Sequence, residues 1–497
     1  MPSPQATLFD LNDPVSERLL REMNPWWQGL GVPNLQPVRR WAYESLLRGL
    51  NSQLAPVVVL RGPRQVGKST LQAQVIDELL RQGVDPRHIL RVQFDDVKPL
   101  HRREQPILEV VWWYADHVLG APLGSLGRQP VYLFLDEVQN LRDWAPQLKH
   151  LVDLQPVRAM VTGSSALRIE AGRDSLAGRI HTLELGPLLL REIIELRGLG
   201  QIPAYHPPNG LGPLKDKDFW LGLREFGERH QALRDQAFTL FSGRGGYPVA
   251  HKAADEPWER VADQLVETVV RRAIQHDLRM GSRGVKRDEN LLEEVFRLAC
   301  RYVGQSPKQA LYLDEIRQAL DANVGWQRVL QYLKFLDGAL LVRLIDPLEL
   351  RLKKRKSPAK LVLSDHSLRA AWLQESVPID PAGLDAAPHL AVLAGRIAES
   401  VVGQFFKSIV NLDLAYFPER GAEPEVDYVL TVGEQRIPVE VKYRRRIEHA
   451  DTRGLRAFIE KSHYNAPFGL LVTLGDSAAS DDPRIVSLPL ASLLLMR

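Results

Sequence analysis

The chain has 497 residues, 44% of them hydrophobic and 25% charged. This is globular composition, at a length that suggests about three domains. A net charge of +3 is too weak to imply a polyanionic partner, so any nucleic-acid contact must rest on local patches. The single cysteine, Cys300, excludes an internal disulfide and reads as a buried thiol. No apolar run approaches a membrane span, and Met1–Asn12 lacks the features of a secretory signal, so a cytoplasmic protein with no membrane partner is expected.

Residues 1–36 form a lead-in. Trp26 and Trp27 are too large to leave wet, and packing on the following domain is expected over a base-stacking platform. Residues 37–195 carry the motif that organises the chain. A helical spacing over Val38–Leu50 precedes an apolar, β-branched run at Val57–Leu60. That run meets the loop Gly62-Pro63-Arg64-Gln65-Val66-Gly67-Lys68-Ser69, which passes through Thr70 into a helical pattern over Leu71–Leu80. This is G-x-x-x-x-G-K-[ST] in strand–loop–helix context, and ATP with Mg²⁺ is the expected cofactor pair. Gly62 and Gly67 let the backbone turn its N–H groups toward phosphate oxygens, and the helix N-terminus adds its dipole. Lys68 reaches the β- and γ-phosphates and Ser69 offers its hydroxyl to Mg²⁺.

A strand is expected over Ile89–Phe94 and a helix over Ile107–Val118. Val131–Leu135 is dense enough in apolar residues for a strand buried on both faces, and it ends in Asp136 and Glu137. Asp136 would hold Mg²⁺, and Glu137 would polarise the attacking water. The next strand, Ala159–Ser165, ends in polar residues. Ser164 is the first choice for contacting the γ-phosphate, with Thr162 or Ser165 as alternatives. Arg173 and Arg179 follow, each either a surface charge or an arginine finger for a neighbouring subunit. Gly178 favours Arg179.

These motifs, with Leu135-Asp136-Glu137-Val138-Gln139, Thr162-Gly163-Ser164-Ser165 and Ser175-Leu176-Ala177-Gly178-Arg179, resemble a prokaryotic AAA-type ATPase family. Its members join a P-loop domain to a C-terminal region resembling restriction endonucleases. Most carry threonine where this chain has Ser69, and either hydroxyl serves. Gly243-Arg244-Gly245-Gly246-Tyr247-Pro248 adds to the likeness, which implies that Tyr247 and Pro248 line the base pocket. A turn ending a helix would use the same residues.

Residues 196–265 read as a linker and helical lid, irregular over Pro203–Pro213 and helical over Asp218–Leu240. Residues 266–384 read as a helical and winged-helix domain. Helices at Leu311–Leu320 and Trp326–Leu336 precede two β-like runs, Ala339–Ile345 and Lys360–Leu363. Between the runs lie Arg351, Lys353, Lys354, Arg355 and Lys356, a basic wing tip suited to phosphates or else a solvated loop. Arg328 offers a further contact from the second helix.

Residues 385–497 carry a second candidate site. Asp427 lies on one strand, Glu440 and Lys442 on the next, joined by a tight turn at Gly433. Residues two apart on a strand share a face. Two carboxylates can hold Mg²⁺ while Lys442 orients water, with Glu399 from the preceding helix completing the oxygen shell. The set resembles the PD-(D/E)xK nucleases, with the usual proline displaced to Pro424. Arg444, Arg445 and Arg446 beside Tyr443 would suit a nucleic-acid backbone. The expected fold is thus α/β: a P-loop AAA-type core with a helical lid, a winged helix and a C-terminal α/β nuclease-like domain. The expected function is an ATP-hydrolysing motor on duplex or branched DNA, working as a homo-oligomer of which a hexameric ring is one form. Whether the last domain cuts DNA or only binds it stays open. So does a switch of the STAND type, with the C-terminal domain as effector or partner-binding module.

Overall fold

Short apolar strands and amphipathic helices alternate through the first part of the chain, the pattern that builds a parallel sheet covered on both faces. The computed structural model describes residues 14–52, 54–97, 100, 103–126, 129–163, 174–206, 210–279, 288–349 and 357–497. The chain divides at Leu185–Gly186 into two units.

In the first unit, β1 (Val57–Arg61), β2 (Ile89–Gln93), β3 (Val131–Asp136), β4 (Val157–Gly163) and β5 (Ile180–Glu184) form one parallel sheet in the order β2-β3-β4-β1-β5. Helices α1 (Pro14–Met23), α2 (Tyr43–Asn51), α3 (Lys68–Arg81), α4 (Pro106–Tyr114) and α5 (Trp144–Leu154) complete it. Every residue of β3 is buried. Its Val131, Leu133 and Leu135 join Val57, Val59, Leu90, Val92, Val111, Leu148 and Val161 in one core.

Strand β2 stands at an edge, where unpaired backbone groups invite aggregation. The lead-in segment covers it. Asn24 Nδ2 donates to Arg91 O at 2.8 Å while its Oδ1 accepts the Arg91 N–H at 2.6 Å, imitating one rung of a ladder. The Trp26 and Trp27 indoles both donate to Ile89 O, at 3.0 and 2.9 Å. The tryptophan pair therefore packs on the ATPase body, as its size suggested.

The second unit contains α6 (Lys217–Arg229), α7 (Gln231–Arg244), α8 (Glu289–Arg301), α9 (Gln309–Leu320) and α10 (Trp326–Gly338). An antiparallel hairpin follows, β6 (Val342–Ile345) with β7 (Lys360–Leu363), then α11 (His366–Leu373) and α12 (Ala391–Lys407). A mixed sheet closes the chain. Its strands are β8 (Asp413–Phe417), β9 (Val426–Val432), β10 (Gln435–Lys442), β11 (Gly469–Thr473) and β12 (Ile485–Pro489), in the order β12-β11-β10-β9-β8. Helices α13 (Arg453–Ile459) and α14 (Leu490–Leu493) complete the fold. Phe417, Phe458 and Tyr464 meet in its core, with Phe458 and Tyr464 stacked at 4.4 Å.

The segments expected as lid, winged-helix domain and last domain all fall within the second unit. The segment read as a lid packs on the C-terminal sheet. A Cβ on Gly227 of α6 would lie 2.1 Å from Ser492 Oγ. Arg234 of α7 reaches Asp476 at 2.9 and 2.7 Å and Ser492 Oγ at 2.9 Å. The boundary placed at 384/385 is also bridged, because Leu348 N–H donates to Tyr416 O at 2.7 Å and Tyr416 N–H to Asp346 O at 3.1 Å. Cys300 is fully buried. Among the described residues no helix is long and apolar enough to cross a membrane.

Candidate functional site

The phosphate-type loop leaves the carboxyl end of β1, where ligands gather in open α/β sheets. Its glycines have different tasks. A Cβ on Gly62 would meet Leu185 O at 2.2 Å, so only glycine lets β1 pass that carbonyl. Gly67 has φ 95°, and it is the N-cap of α3, which puts the helix's unpaired N–H groups at the loop mouth. Gln65 also adopts positive φ, 65°, and it and Ser69 are exposed. Gly62, Pro63 and Val66 are buried, and Arg64 and Thr70 half-buried. Arg40 Nη1 donates to Val66 O at 2.5 Å and pins the turn from outside. Lys68 Nζ donates to Gly62 O at 3.0 Å and Pro63 O at 2.9 Å. The ammonium is thus bent back over the loop it serves.

The sheet order explains how the carboxylates meet this loop. Strand β4 lies between β1 and β3, with Leu60 paired to Thr162 and Leu135 to Val161. Thr162, fully buried, donates its hydroxyl to Asp136 Oδ1. Ser69 Oγ donates to Asp136 Oδ2 at 2.7 Å. Asp136 is 1% exposed. Burial, then the charge of Glu137, pushes its carboxyl above the usual carboxylate range, and the two hydroxyls oppose that. Glu137 sits in the left-handed region, φ 58°, and accepts from Gln139 Nε2. A hydroxyl on an exposed residue touching a buried carboxylate fits Mg²⁺ held beside phosphates: Ser69 and Asp136 would be its protein partners.

The other residues expected here fall differently. Thr162, the alternative to Ser164, is engaged by Asp136; Ser164 and Arg173 lie outside the described residues. Arg179 stands at the far end of the sheet. Its carbonyl accepts the Val57 N–H at 3.1 Å, so the five residues of β1, roughly 16 Å of strand, separate it from the loop. Its guanidinium pairs with Asp153 at 2.5 Å. The chain's own phosphate loop is therefore out of its reach. Tyr247 is fully buried in the second unit, and Pro248 begins a short helix. The preceding Gly246 N–H donates to Asp365 Oδ2 at 2.7 Å, and His251 Nε2 meets Gly245 O at 2.7 Å.

The C-terminal residues converge as the hairpin predicted. Val439 pairs with Tyr428, which sets Glu440 across from Asp427 on one face, and the turn uses Gly433 at φ 61°. Lys442 Nζ contacts Glu440 Oε1 at 2.6 Å. Glu399 joins them from α12. A lysine nevertheless stands among these oxygens. Lys360, at the start of β7, places its Nζ 2.5 Å from Glu399 Oε1, 3.3 Å from Glu425 Oε1 and 3.4 Å from Asp427 Oδ1. Asp427 Oδ2 accepts the Val441 N–H at 2.8 Å. Among the described residues no three His, Cys, Asp or Glu side chains converge as a metal-ligand set. The ammonium already stands where a cation would be shared.

Electrostatics follow from this crowding. Burial, then Asp427, drives Glu399 well above the carboxylate range against the pull of Lys360. Burial and Asp427 push Glu440 up to about 8, and Lys442 opposes them. Glu440 is 7% exposed, and its Oε2 is buried without a hydrogen-bond partner. Lys360 is 1% exposed. Burial disfavours its charge, but Glu399 and Asp427 outweigh that and hold it protonated. The Tyr428 and Tyr416 rings flank it at 5.1 and 5.4 Å. No motif marks Lys360. Its one sequence signal is a charge opening an otherwise apolar strand.

The basic track is less open than expected. Arg444 pairs with Asp451 and Arg445 with Asp385, while Arg446 is exposed. Tyr443, expected beside a nucleic-acid backbone, is instead buried with its hydroxyl donating to Ile379 O. Arg328 is half-exposed and lies 3.7 Å from Asp288. Arg351, Lys353, Lys354, Arg355 and Lys356 lie outside the described residues.

Residues 236–378 and 394–493 match two domains of unknown function, DUF8612 and DUF4143. An uncharacterized protein of Methanocaldococcus jannaschii is 29% identical over 140 residues, 28% of each chain. One of Mycobacterium tuberculosis is 30% identical over 158 residues, 31% of this chain and 30% of that one. The match thus spans less than a third of the length of these relatives. An uncharacterized Haemophilus influenzae protein is 24% identical over 63% of this chain and 68% of its own. Among solved structures, a Walker-type ATPase of Pyrococcus abyssi is similar with TM-score 0.39 and 13% identity, over 68% of this chain and 99% of its own. Cdc6p of Pyrobaculum aerophilum gives TM-score 0.28 and 14% identity over 71% and 97%. Residues 55–194, the stretch that holds the loop and Asp136, match the AAA domain, and this part of the chain is a P-loop ATPase domain of the AAA type.

Proposed function

We propose that the protein hydrolyses ATP and uses the turnover to act on DNA as a homo-oligomer. The contact of Ser69 with Asp136, with Glu137 next along the chain, carries the hydrolytic half. Lys68 would exchange the Gly62 and Pro63 carbonyls for phosphate oxygens, a short swing from its present place. Ser69 and Asp136 would hold Mg²⁺, which neutralises phosphate charge. Glu137 would take the proton of the attacking water, and Thr162 keeps Asp136 oriented.

The DNA half is supported by the basic run 351–356 between β6 and β7, next to helices α9 and α10, an order that suits a winged helix. Opposed Asp427 and Glu440 with Lys442 on a mixed sheet support a nuclease-like ancestry for the last part. A second reading, an ATP-dependent switch of the STAND type, draws on the Gly246–Asp365 bond, which ties the Gly245–Pro248 element to helix α11.

Turnover measured with linear, forked and four-way DNA tests both. Stimulation by one DNA form is expected, with Lys68→Ala inactive and Asp427→Ala unchanged. Normal turnover in Lys68→Ala would end the ATPase assignment of this loop. DNA binding should weaken steeply with salt; binding indifferent to salt would remove DNA as the substrate and leave the switch.

A further inference from the structure

We infer that Lys360 is a tethered cation that fills the acidic cluster of the C-terminal sheet and keeps divalent metal out of it. The inference rests on the nuclease-like reading of Asp427, Glu440 and Lys442. Three observations carry it. First, one ammonium contacts carboxylates from three places in the chain, Glu399, Glu425 and Asp427. Second, it is held from the other sides by the rings of Tyr416 and Tyr428 and by the Asp427 carbonyl at 3.3 Å. Third, two further oxygens of the cluster are already committed: Asp427 Oδ2 accepts the Val441 N–H, and Glu440 Oε1 binds Lys442.

A metal taking the same Glu399 and Asp427 oxygens, at about 2.0–2.6 Å, would stand almost on the Lys360 nitrogen. The two cations exclude each other. The lysine has the advantage because it is covalently attached to β7, and its local concentration does not fall on dilution. The sheet then keeps a nuclease-like shape with a salt-bridge cluster at its centre, suited to holding a partner without cutting it.

Mn²⁺ binding to the full chain, free of nucleotide, tests this by electron paramagnetic resonance and calorimetry. The native chain should show no Mn²⁺ site that depends on Asp427. Lys360→Met should gain one, at least about tenfold tighter than anything in the native chain, and Lys360→Met with Asp427→Asn should lose it. Removing one member of a buried pair destabilises, so Lys360→Met with Glu425→Gln, which removes the lysine and one of its partner charges while keeping Glu399 and Asp427, guards against a folding failure and should gain the site too. A native Mn²⁺ site that vanishes in Asp427→Asn would overturn the inference while leaving the nuclease-like reading intact. Folded lysine variants that gain nothing would overturn both.

Discussion

Replacing Thr162 with valine keeps the shape of a fully buried side chain and deletes one hydroxyl. Among the described residues Asp136 then keeps a single side-chain donor, Ser69, of two. A hydrogen bond to a charged group contributes about 1.5–3 kcal/mol. The carboxyl is already pushed up by burial and by Glu137, and loss of the hydroxyl moves it further in the same direction. Ionised Asp136 is what Mg²⁺ requires, so the affinity for Mg²⁺ in the ternary complex should fall about 10- to 150-fold, at roughly 1.4 kcal/mol per tenfold. The assay is binding of a fluorescent ATP analogue to the full chain across a Mg²⁺ series and in chelator. Binding in chelator should be unchanged, because the Thr162 hydroxyl is spent on Asp136. Thr162→Ser should restore the wild-type Mg²⁺ midpoint. An unchanged midpoint in Thr162→Val, or equal loss with and without Mg²⁺, would refute the link between β4 and the metal.

Three other outcomes are expected. Glu137→Gln should retain ATP binding and lose about 10²–10⁴ in turnover; turnover near wild type would move the general base elsewhere. Gly62→Ala puts a methyl 2.2 Å from the Leu185 carbonyl, so urea unfolding should show about 1–3 kcal/mol of lost stability together with weaker nucleotide binding, and a neutral result would contradict the close approach. His251 is held below its usual pKa, first by burial, against the hydrogen bond to Gly245, and its Nδ1 is buried without a partner. Below the unfolded pKa of about 6.5 the unfolded chain binds more protons than the native one, so stability falls as pH falls. The melting temperature should therefore drop on acidification through that window, and less steeply in His251→Gln; parallel profiles would dismiss His251 as the cause.

The phosphate loop was legible because its chemistry is contiguous. Gly62 to Ser69 lie on one turn, and each residue's task follows from its neighbours. Asp136 was legible because a strand this apolar has few reasons to end in acid. Asp427 and Glu440 were legible through the tight turn between them. Lys360 was not, because its partners Glu399 and Asp427 lie 39 and 67 residues away and only tertiary packing brings them together. That Arg179 stands at the end of the sheet away from this chain's own loop was not legible either, because proximity to a glycine says nothing about which end of a sheet a loop serves. The packing of the helices read as a lid was not legible, because the residues they meet, Asp476 and Ser492, come at the other end of the chain.

The covered edge of β2 bears on how the ATPase part can be isolated. The family match starts at residue 55, and a fragment cut there would hold every phosphate-binding residue. It would also lack Asn24, Trp26 and Trp27, and so bare the Ile89 and Arg91 backbone groups that they occupy. It would lose Arg40, the clamp on Val66. Such a fragment would present a raw β-edge to its own copies and polymerise or precipitate through it. The smallest autonomous piece therefore begins at α1, some forty residues before the start of the family match, and the lead-in is as much a part of the sheet as its strands.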